Sequence, residues 1–233
     1  MAYDSYTKLL SHFNGSNGQT TYTAETGQTI TFVGTAQLST AQKKFGSTSL
    51  LLDGNSDYVT ALDSADWNFG SGNFTIDFWL YRNDSSDMGF YTQRVDTDNY
   101  VRFFYFDATP YIGFYIRSAA ADVLYAYKNS ATISTGAWHH IALVRNGTGA
   151  NCIKIYIDGT TVGDLTLGAG AWNGAVPDLA ATAVMGADTE NLYYTNGYID
   201  EFCISKGVAR WTTDFTPPTS EYGLNTRSYS III

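Results

Sequence analysis

Apolar and polar residues alternate along much of this chain. In "FTIDFWLY", Phe74, Ile76, Phe78 and Leu80 fall on one face of an extended segment, and Thr75, Asp77, Trp79 and Tyr81 on the other. That period of two is the mark of a strand. "YIGFYIR" sets Ile112, Phe114 and Ile116 against Tyr111, Tyr115 and Arg117, and "CIKIYID" groups Ile153, Ile155 and Ile157. "WHHIALVR" and "YIDEFCIS" read as further strands of similar length. Helical spacing is nearly absent. Turn clusters such as "GSNGQ", "DGNSD", "RNDSSD" and "NGTGAN" interrupt the runs, and Asp158-Gly159 is a favoured two-residue hairpin turn. "SADW" predicts a single helical turn capped by Ser64. Many short strands with frequent turns predict an all-β fold, a two-sheet antiparallel β-sandwich or jelly roll. With no repeat and no linker, residues 1–220 form one domain. Pro217-Pro218 ends the pattern, and the tail 221–233 closes on three isoleucines. That tail reads as a last strand, a frayed end, or a strand that docks on a neighbouring subunit.

Composition narrows the class. Charged residues are 15% of the 233, while aromatics are also 15% and tyrosine alone occurs 18 times. The polar surface must therefore be built from Thr, Ser, Asn and Gly, as in a rigid β protein. A net charge of −9, with the basic residues dispersed singly, excludes a nucleic-acid reader, which needs clustered Lys and Arg. No apolar run approaches a membrane span of about 20 residues. The start, "MAYDSYTKLLSHFNG", lacks a signal-peptide core, so synthesis in a cytoplasm is expected. Cys152 and Cys203 sit in apolar strand-like runs, without the spacing of a zinc site, and read as buried free thiols.

Catalytic patterns are sparse. Asp200 and Glu201 in "YIDEF" are neighbours, so a regular strand points them to opposite faces, and no facing pair of glycosidase carboxylates results. His139 and His140 read as core or edge histidines, and no catalytic residue is assigned. Asp53, Asn55 and Asp57 in "DGNSD" sit at calcium-loop positions 1, 3 and 5, but Tyr58 and Ser64 stand where an EF-hand needs Gly and Glu. Asp96 and Asp98 in "RVDTDNY" are a weaker cation candidate. For carbohydrate, the aromatic platforms on offer are Trp79, Tyr81, Tyr115, Tyr125 and Tyr127 from strand faces, Trp172 in "GAGAWNGAVPD", and Tyr193 and Tyr194 in "ENLYYTNG".

Taken in order, "FGSTSLLLDGNSDYVTA", "FGSGNFTIDFWLYRND", "WHHIALVRNG", "IKIYIDGTTVG" and "GYIDEFCISKGVARWTTDFTPPT" resemble the laminin-G-like, concanavalin A-like jelly-roll family. The variety most resembled is the one found in bacteriophage structural proteins. The resemblance covers roughly residues 8 to 220 and implies two antiparallel sheets packed face to face. It also implies a structural calcium held by Asp200, by carbonyls of Phe13 and Gly54, and by Asp57. Members include lectins, laminin modules and glycoside hydrolases, so the fold leaves function open.

The function expected from this resemblance is that of a non-enzymatic virion structural protein of a phage. It would be a head-decorating or tail-associated subunit on the virion surface, with capsid or tail proteins as partners and a homo-oligomer, a trimer, as its assembly. The alternative is a carbohydrate-binding lectin or adhesin module, and glycoside hydrolysis stands third.

Overall fold

The computed structural model describes residues 4–188 and 193–223. Its strands in chain order are β1 (Thr7–Ser11), β2 (Thr21–Thr23), β3 (Thr29–Val33), β4 (Gln37–Ser39), β5 (Ser49–Asp53) and β6 (Tyr58–Ala61). There follow β7 (Phe74–Arg82), β8 (Met88–Asp96), β9 (Asn99–Phe106), β10 (Tyr111–Ser118), β11 (Ala121–Asn129), β12 (Trp138–Arg145) and β13 (Ile153–Ile157). The last are β14 (Thr160–Thr161), β15 (Thr166–Gly170), β16 (Ala183–Met185), β17 (Ala187–Asp188), β18 (Tyr193–Tyr194) and β19 (Asn196–Lys206). One 3-10 turn, Ala65–Trp67, begins where Ser64 Oγ accepts the N–H of Asp66 at 3.1 Å. No helix among the described residues is long and apolar enough to cross a membrane.

Two antiparallel sheets carry the fold. Sheet A has eight strands in the order β14-β13-β12-β7-β19-β5-β4, with β1 also paired to β19. Sheet B has nine, in the order β15-β11-β10-β9-β8-β16-β6-β3-β2. Their inner faces meet through the alternating apolar residues. Phe78 of β7 lies 5.3 Å from Phe202 of β19, and 5.2 and 6.4 Å from Phe90 and Phe103 of sheet B. Phe74, Ile76 and Leu80 are all fully buried with it, as are Ile112, Phe114 and Ile116 opposite. The Asp158-Gly159 hairpin forms with both residues at positive φ, 52° and 77°. Both cysteines are buried and free.

Strand β19 organises sheet A. One edge pairs with β7 along its length. The other is shared: β5 takes Asn196–Ile199, and β1 takes Phe202–Ser205. A β-bulge falls between Asp200 and Cys203, with Glu201 at φ 54°. Two residues there oppose one on the partner strand, which resets the alternation. Phe202 therefore returns to the core while Asp200 and Glu201 both end on the outer side of the sheet. This corrects the expectation that neighbouring acids must face opposite ways.

The outer face of sheet A is not a solvent face either. The chain after β19 crosses it. Ala209, Trp211 and Phe215 pack on Ala142, Val144 and Tyr156, and Trp211 stacks on Phe215 at 4.1 Å. Further along, Tyr222 is buried against Leu10 and Cys203, although it lies two residues past the expected domain boundary at 220. Of the tail proposed to dock, residues 224–233, with the closing isoleucines, lie outside the described residues.

Candidate functional site

The outer face of sheet B is the aromatic one. Alternation along β9 sends Tyr100, Arg102, Phe104 and Phe106 outward, β10 adds Tyr111 and Tyr115, and β11 adds Tyr125 and Tyr127. Strand register places Tyr115 between Arg102 and Tyr125. The rings form a continuous chain: Tyr100 to Tyr115 at 5.3 Å, Tyr115 to Tyr125 at 4.9 Å, and Tyr125 to Tyr127 at 5.0 Å. Tyr127 continues to Tyr111 at 5.9 Å, and Tyr111 to Phe106 at 4.8 Å.

Two glycines let three of these rings, Phe104, Tyr125 and Tyr127, lie close against the sheet. A Cβ on Gly113 would stand 2.8 Å from Cζ of Phe104, and one on Gly168 of β15 would stand 2.8 and 2.9 Å from the rings of Tyr125 and Tyr127. At those spacings any side chain would lift the rings off the sheet. The floor is thus a shelf of half-buried phenols set at varied tilts to one another. Burial, and then hydrogen bonding to Tyr125, holds the Tyr111 hydroxyl well above the usual phenol range. Burial, and then bonding to Asp122 and Tyr100, does the same for Tyr115. They therefore stay neutral donors and acceptors.

One side of the shelf has a wall. Strands β17 and β18 pair with each other and lie on β8, a close approach that Gly89 permits, since a Cβ there would sit 2.0 Å from the nitrogen of Asp188. Tyr193 brings its ring 4.8 Å from Phe106. Asp188 accepts from Arg102 Nη1 at 3.0 Å. The Arg102 guanidinium also lies 4.8, 5.2 and 5.5 Å from the ring centres of Phe104, Tyr115 and Tyr100, a cation–π arrangement. At the far edge Arg117 pairs with Asp122 at 2.6 Å and with Asp98 at 3.5 Å.

The sequence-expected aromatic residues divide between the two sheets. Tyr115, Tyr125, Tyr127 and Tyr193 belong to the shelf. Trp79 does not: it is buried on the outer face of sheet A, under the Lys44 ammonium 3.8 Å from its ring centre. Tyr81 stands on that same face, edge-on to Trp138 and Tyr198. Trp172 packs against the core, and its carbonyl accepts from Arg145 at 3.4 Å. Tyr194 stacks on Tyr58 at 6.4 Å.

The four residues expected to hold calcium are not brought together. Asp200 sits at the joint where β5 gives way to β1, its Oδ2 accepting the N–H groups of Lys44 and Phe45 at 2.7 and 3.1 Å. Phe13 is near this joint, but its carbonyl accepts from Thr48 Oγ1 at 2.6 Å. Gly54 and Asp57 lie at the other end of β5, where Asp53 pairs with Asn196, four residues or about 13 Å along the strand from Asp200. Asp57 there accepts the N–H groups of Thr35 and Asp53 at 2.5 and 3.2 Å, so its oxygens tie turns together. The joint itself holds His12, whose Nδ1 is 2.6 Å from Glu201 Oε1. Calcium needs six to eight oxygens, and this arrangement does not fit one. Asp96 caps its own hairpin turn, accepting from Asp98 N and Asn99 Nδ2 at 2.8 and 2.9 Å. Among the described residues no group of three His, Cys, Asp or Glu side chains is disposed to hold a metal ion.

Nor do Asp200 and Glu201 make a hydrolytic pair, despite sharing a side. Both are fully buried, so no glycosidic bond reaches them. Burial, against the N–H groups on Oδ2, pushes the Asp200 carboxyl up to about 7. Burial likewise raises Glu201. His12 is raised despite its own burial, by its bond to Glu201 and by the charges of Glu201, Glu25 and Glu221.

The chain matches the family model of the concanavalin A-like lectin/glucanases superfamily over residues 53–212. No curated protein matches it. Among solved structures it is similar to domain 4 of AbnA, a GH43 extracellular arabinanase from Geobacillus stearothermophilus, solved in complex with arabinotriose. That match has a TM-score of 0.58 at 17% identity and covers 88% of this chain and 95% of that one. The binding domain of Paraclostridial Mosquitocidal Protein 1 matches with a TM-score of 0.60 at 13% identity, over 87% of this chain and 49% of that one. The binding domain of botulinum neurotoxin DC in complex with SialylT matches at 0.58 and 13%, over 88% and 49%. The chain thus spans about half the length of these toxin domains, and at such identities the likeness is one of fold. By the family match and the two-sheet architecture together, the chain is a member of the concanavalin A-like lectin/glucanases superfamily, in its laminin-G-like form.

Proposed function

We propose that this protein binds an uncharged oligosaccharide on the outer face of sheet B. The observation that carries the reading is the glycine-floored shelf of Tyr100, Tyr111, Tyr115, Tyr125 and Tyr127, with Phe104 fully buried beneath it. Such a surface offers apolar ring faces to the C–H face of a sugar and phenol hydroxyls to its edges. Charge argues for a neutral ligand. Arg102 is matched by Asp188, and Arg117 by Asp122 and Asp98, so an acidic sugar would have to displace a carboxylate from its partner. The arabinotriose complex of the structurally similar arabinanase domain supports this reading.

Titration of neutral oligosaccharides, arabinotriose among them, against the wild type and Tyr125→Ala tests it. Saturable binding that weakens about tenfold in Y125A, roughly 1.4 kcal/mol, is expected. A wild type that binds no neutral glycan at millimolar concentration sinks the reading. For its setting we propose the surface of a phage particle with capsid or tail proteins as neighbours, supported by the phrase set and not by the geometry. Cryo-electron microscopy of purified particles lacking the chain would show missing surface density if so.

A further inference from the structure

At the rim of sheet A, away from the aromatic shelf, three side chains join in a line. Ser134 Oγ lies 2.7 Å from His139 Nε2, and His139 Nδ1 lies 2.7 Å from Asp158 Oδ2. Three different elements supply them: the loop before β12, the second residue of β12, and the β13–β14 hairpin turn. The fold fixes the third member twice over. Asp158 is held in the left-handed region at φ 52°, and its other oxygen accepts the N–H of His140 at 2.9 Å. Because a carboxylate only accepts, Nδ1 of His139 carries the hydrogen, which leaves the Nε2 lone pair for the Ser134 hydroxyl. Ser134 is exposed, and the His139 side chain is 16% exposed, so a small molecule reaches the hydroxyl.

We propose that Ser134, His139 and Asp158 form a serine nucleophile site that transfers acyl groups from small carboxylic esters to water. Serine, histidine and carboxylate in this order are recognised by geometry and role, not by fold. In the first step Ser134 Oγ bonds to the ester carbonyl carbon while its proton passes to His139 Nε2. The C–O bond to the alcohol then breaks, and Nε2 gives that proton to the departing oxygen. Water attacks the acyl-serine, its proton passes through Nε2 back to Ser134 Oγ, and the acid leaves. The Asp158 side chain is 47% exposed, so the site is wet, and developing charge is stabilised less than in a dry one. The substrates are therefore esters with good leaving groups, not amides.

The test uses p-nitrophenyl acetate and a fluorophosphonate probe on the purified full chain. Expected are turnover of the ester and a covalent adduct that mass spectrometry maps to Ser134. Ser134→Ala and His139→Gln should each lower the rate about a hundredfold and abolish the adduct, with melting temperatures near wild type. Turnover that survives in S134A would assign the rate to free imidazole and overturn the proposal. So would a folded wild type that takes no label at Ser134, since the three residues would then only pin the loop to the hairpin. The labelling readout on the wild type does not depend on any variant folding.

Discussion

At the scale of single residues, Asp200 shows how much a strand irregularity decides. Its carboxyl is fully enclosed, with Oδ2 on two backbone N–H groups and Oδ1 without a hydrogen-bond partner among the described residues. Its pKa of about 7 lies above that of an unfolded aspartate, so the fold holds the proton more tightly than the open chain does. The associated stability is complete below pH 4 and is lost as pH rises through about 7, at most about 4 kcal/mol. Asp200→Asn, which keeps an acceptor for Lys44 and Phe45, should flatten thermal stability between pH 4 and 7. Parallel melting curves for the two proteins would disprove that account. Sequence alone placed Asp200 on a strand. It did not place Glu201 on the same side, because a bulge has no signature in the spacing of "YIDEF".

Elements are where sequence and structure agree best, and where the exceptions have a clear cause. Phe74, Ile76, Phe78 and Leu80 lie inside as alternation demands, and Phe78→Ala should cost about 3–5 kcal/mol in denaturant unfolding. The polar half of the same strand misled. Thr75, Asp77 and Trp79 have the look of a solvent face, but Thr75 and Asp77 lie beneath the segment that follows β19 and Trp79 beneath Lys44 and Phe45, a burial that no local pattern encodes. Tyr222 seals this layer. Its hydroxyl donates to Asp77 and lies 3.1 Å from His140 Nε2, and its N–H donates to Glu201 at 2.8 Å. Tyr222→Phe leaves Asp77 and His140, 3.5 Å apart, without the hydroxyl that bonds both and should lower stability by about 1–3 kcal/mol; an unchanged melting temperature would show the network to be dispensable. Strand β9 escaped the sequence reading for the opposite reason. In "NYVRFFYF" both faces are mostly aromatic or apolar, so only Arg102 separates the core side of Val101, Phe103 and Tyr105 from the outward side of Tyr100, Phe104 and Phe106. Tyr100 of the shelf, and Phe104 beneath it, were hidden in that run.

For the whole molecule, the sandwich was legible because two-sheet packing needs only alternation and turns. The shelf was only partly legible, since Trp79 and Tyr115 read alike along the chain yet fall on opposite outer faces. The same scale governs metal. The expected calcium ligands are divided between the two ends of β5, and backbone N–H groups occupy Oδ2 of Asp200 and both oxygens of Asp57, as the Thr48 hydroxyl occupies the Phe13 carbonyl. A chelator should therefore leave the melting temperature unchanged, and a fall of several degrees on adding it would require a cation that this arrangement does not accommodate.

The position of β19 in sheet A has a consequence for how the protein is made. Its partner β7 ends at Arg82, while β19 begins only at Asn196. At about 5–20 residues per second, a ribosome leaves the long edge of β7 without its neighbour for roughly 6 to 23 seconds. Throughout that interval Phe74, Ile76 and Phe78 have only half a sheet around them. Completion of sheet A thus waits on a strand made more than a hundred residues after β7, and β1, made earlier still, waits longer for the same partner. Such long-range pairing is slow and prone to aggregation, so yield in a heterologous host should depend on growth temperature and chaperone supply more than on the stability of the finished protein.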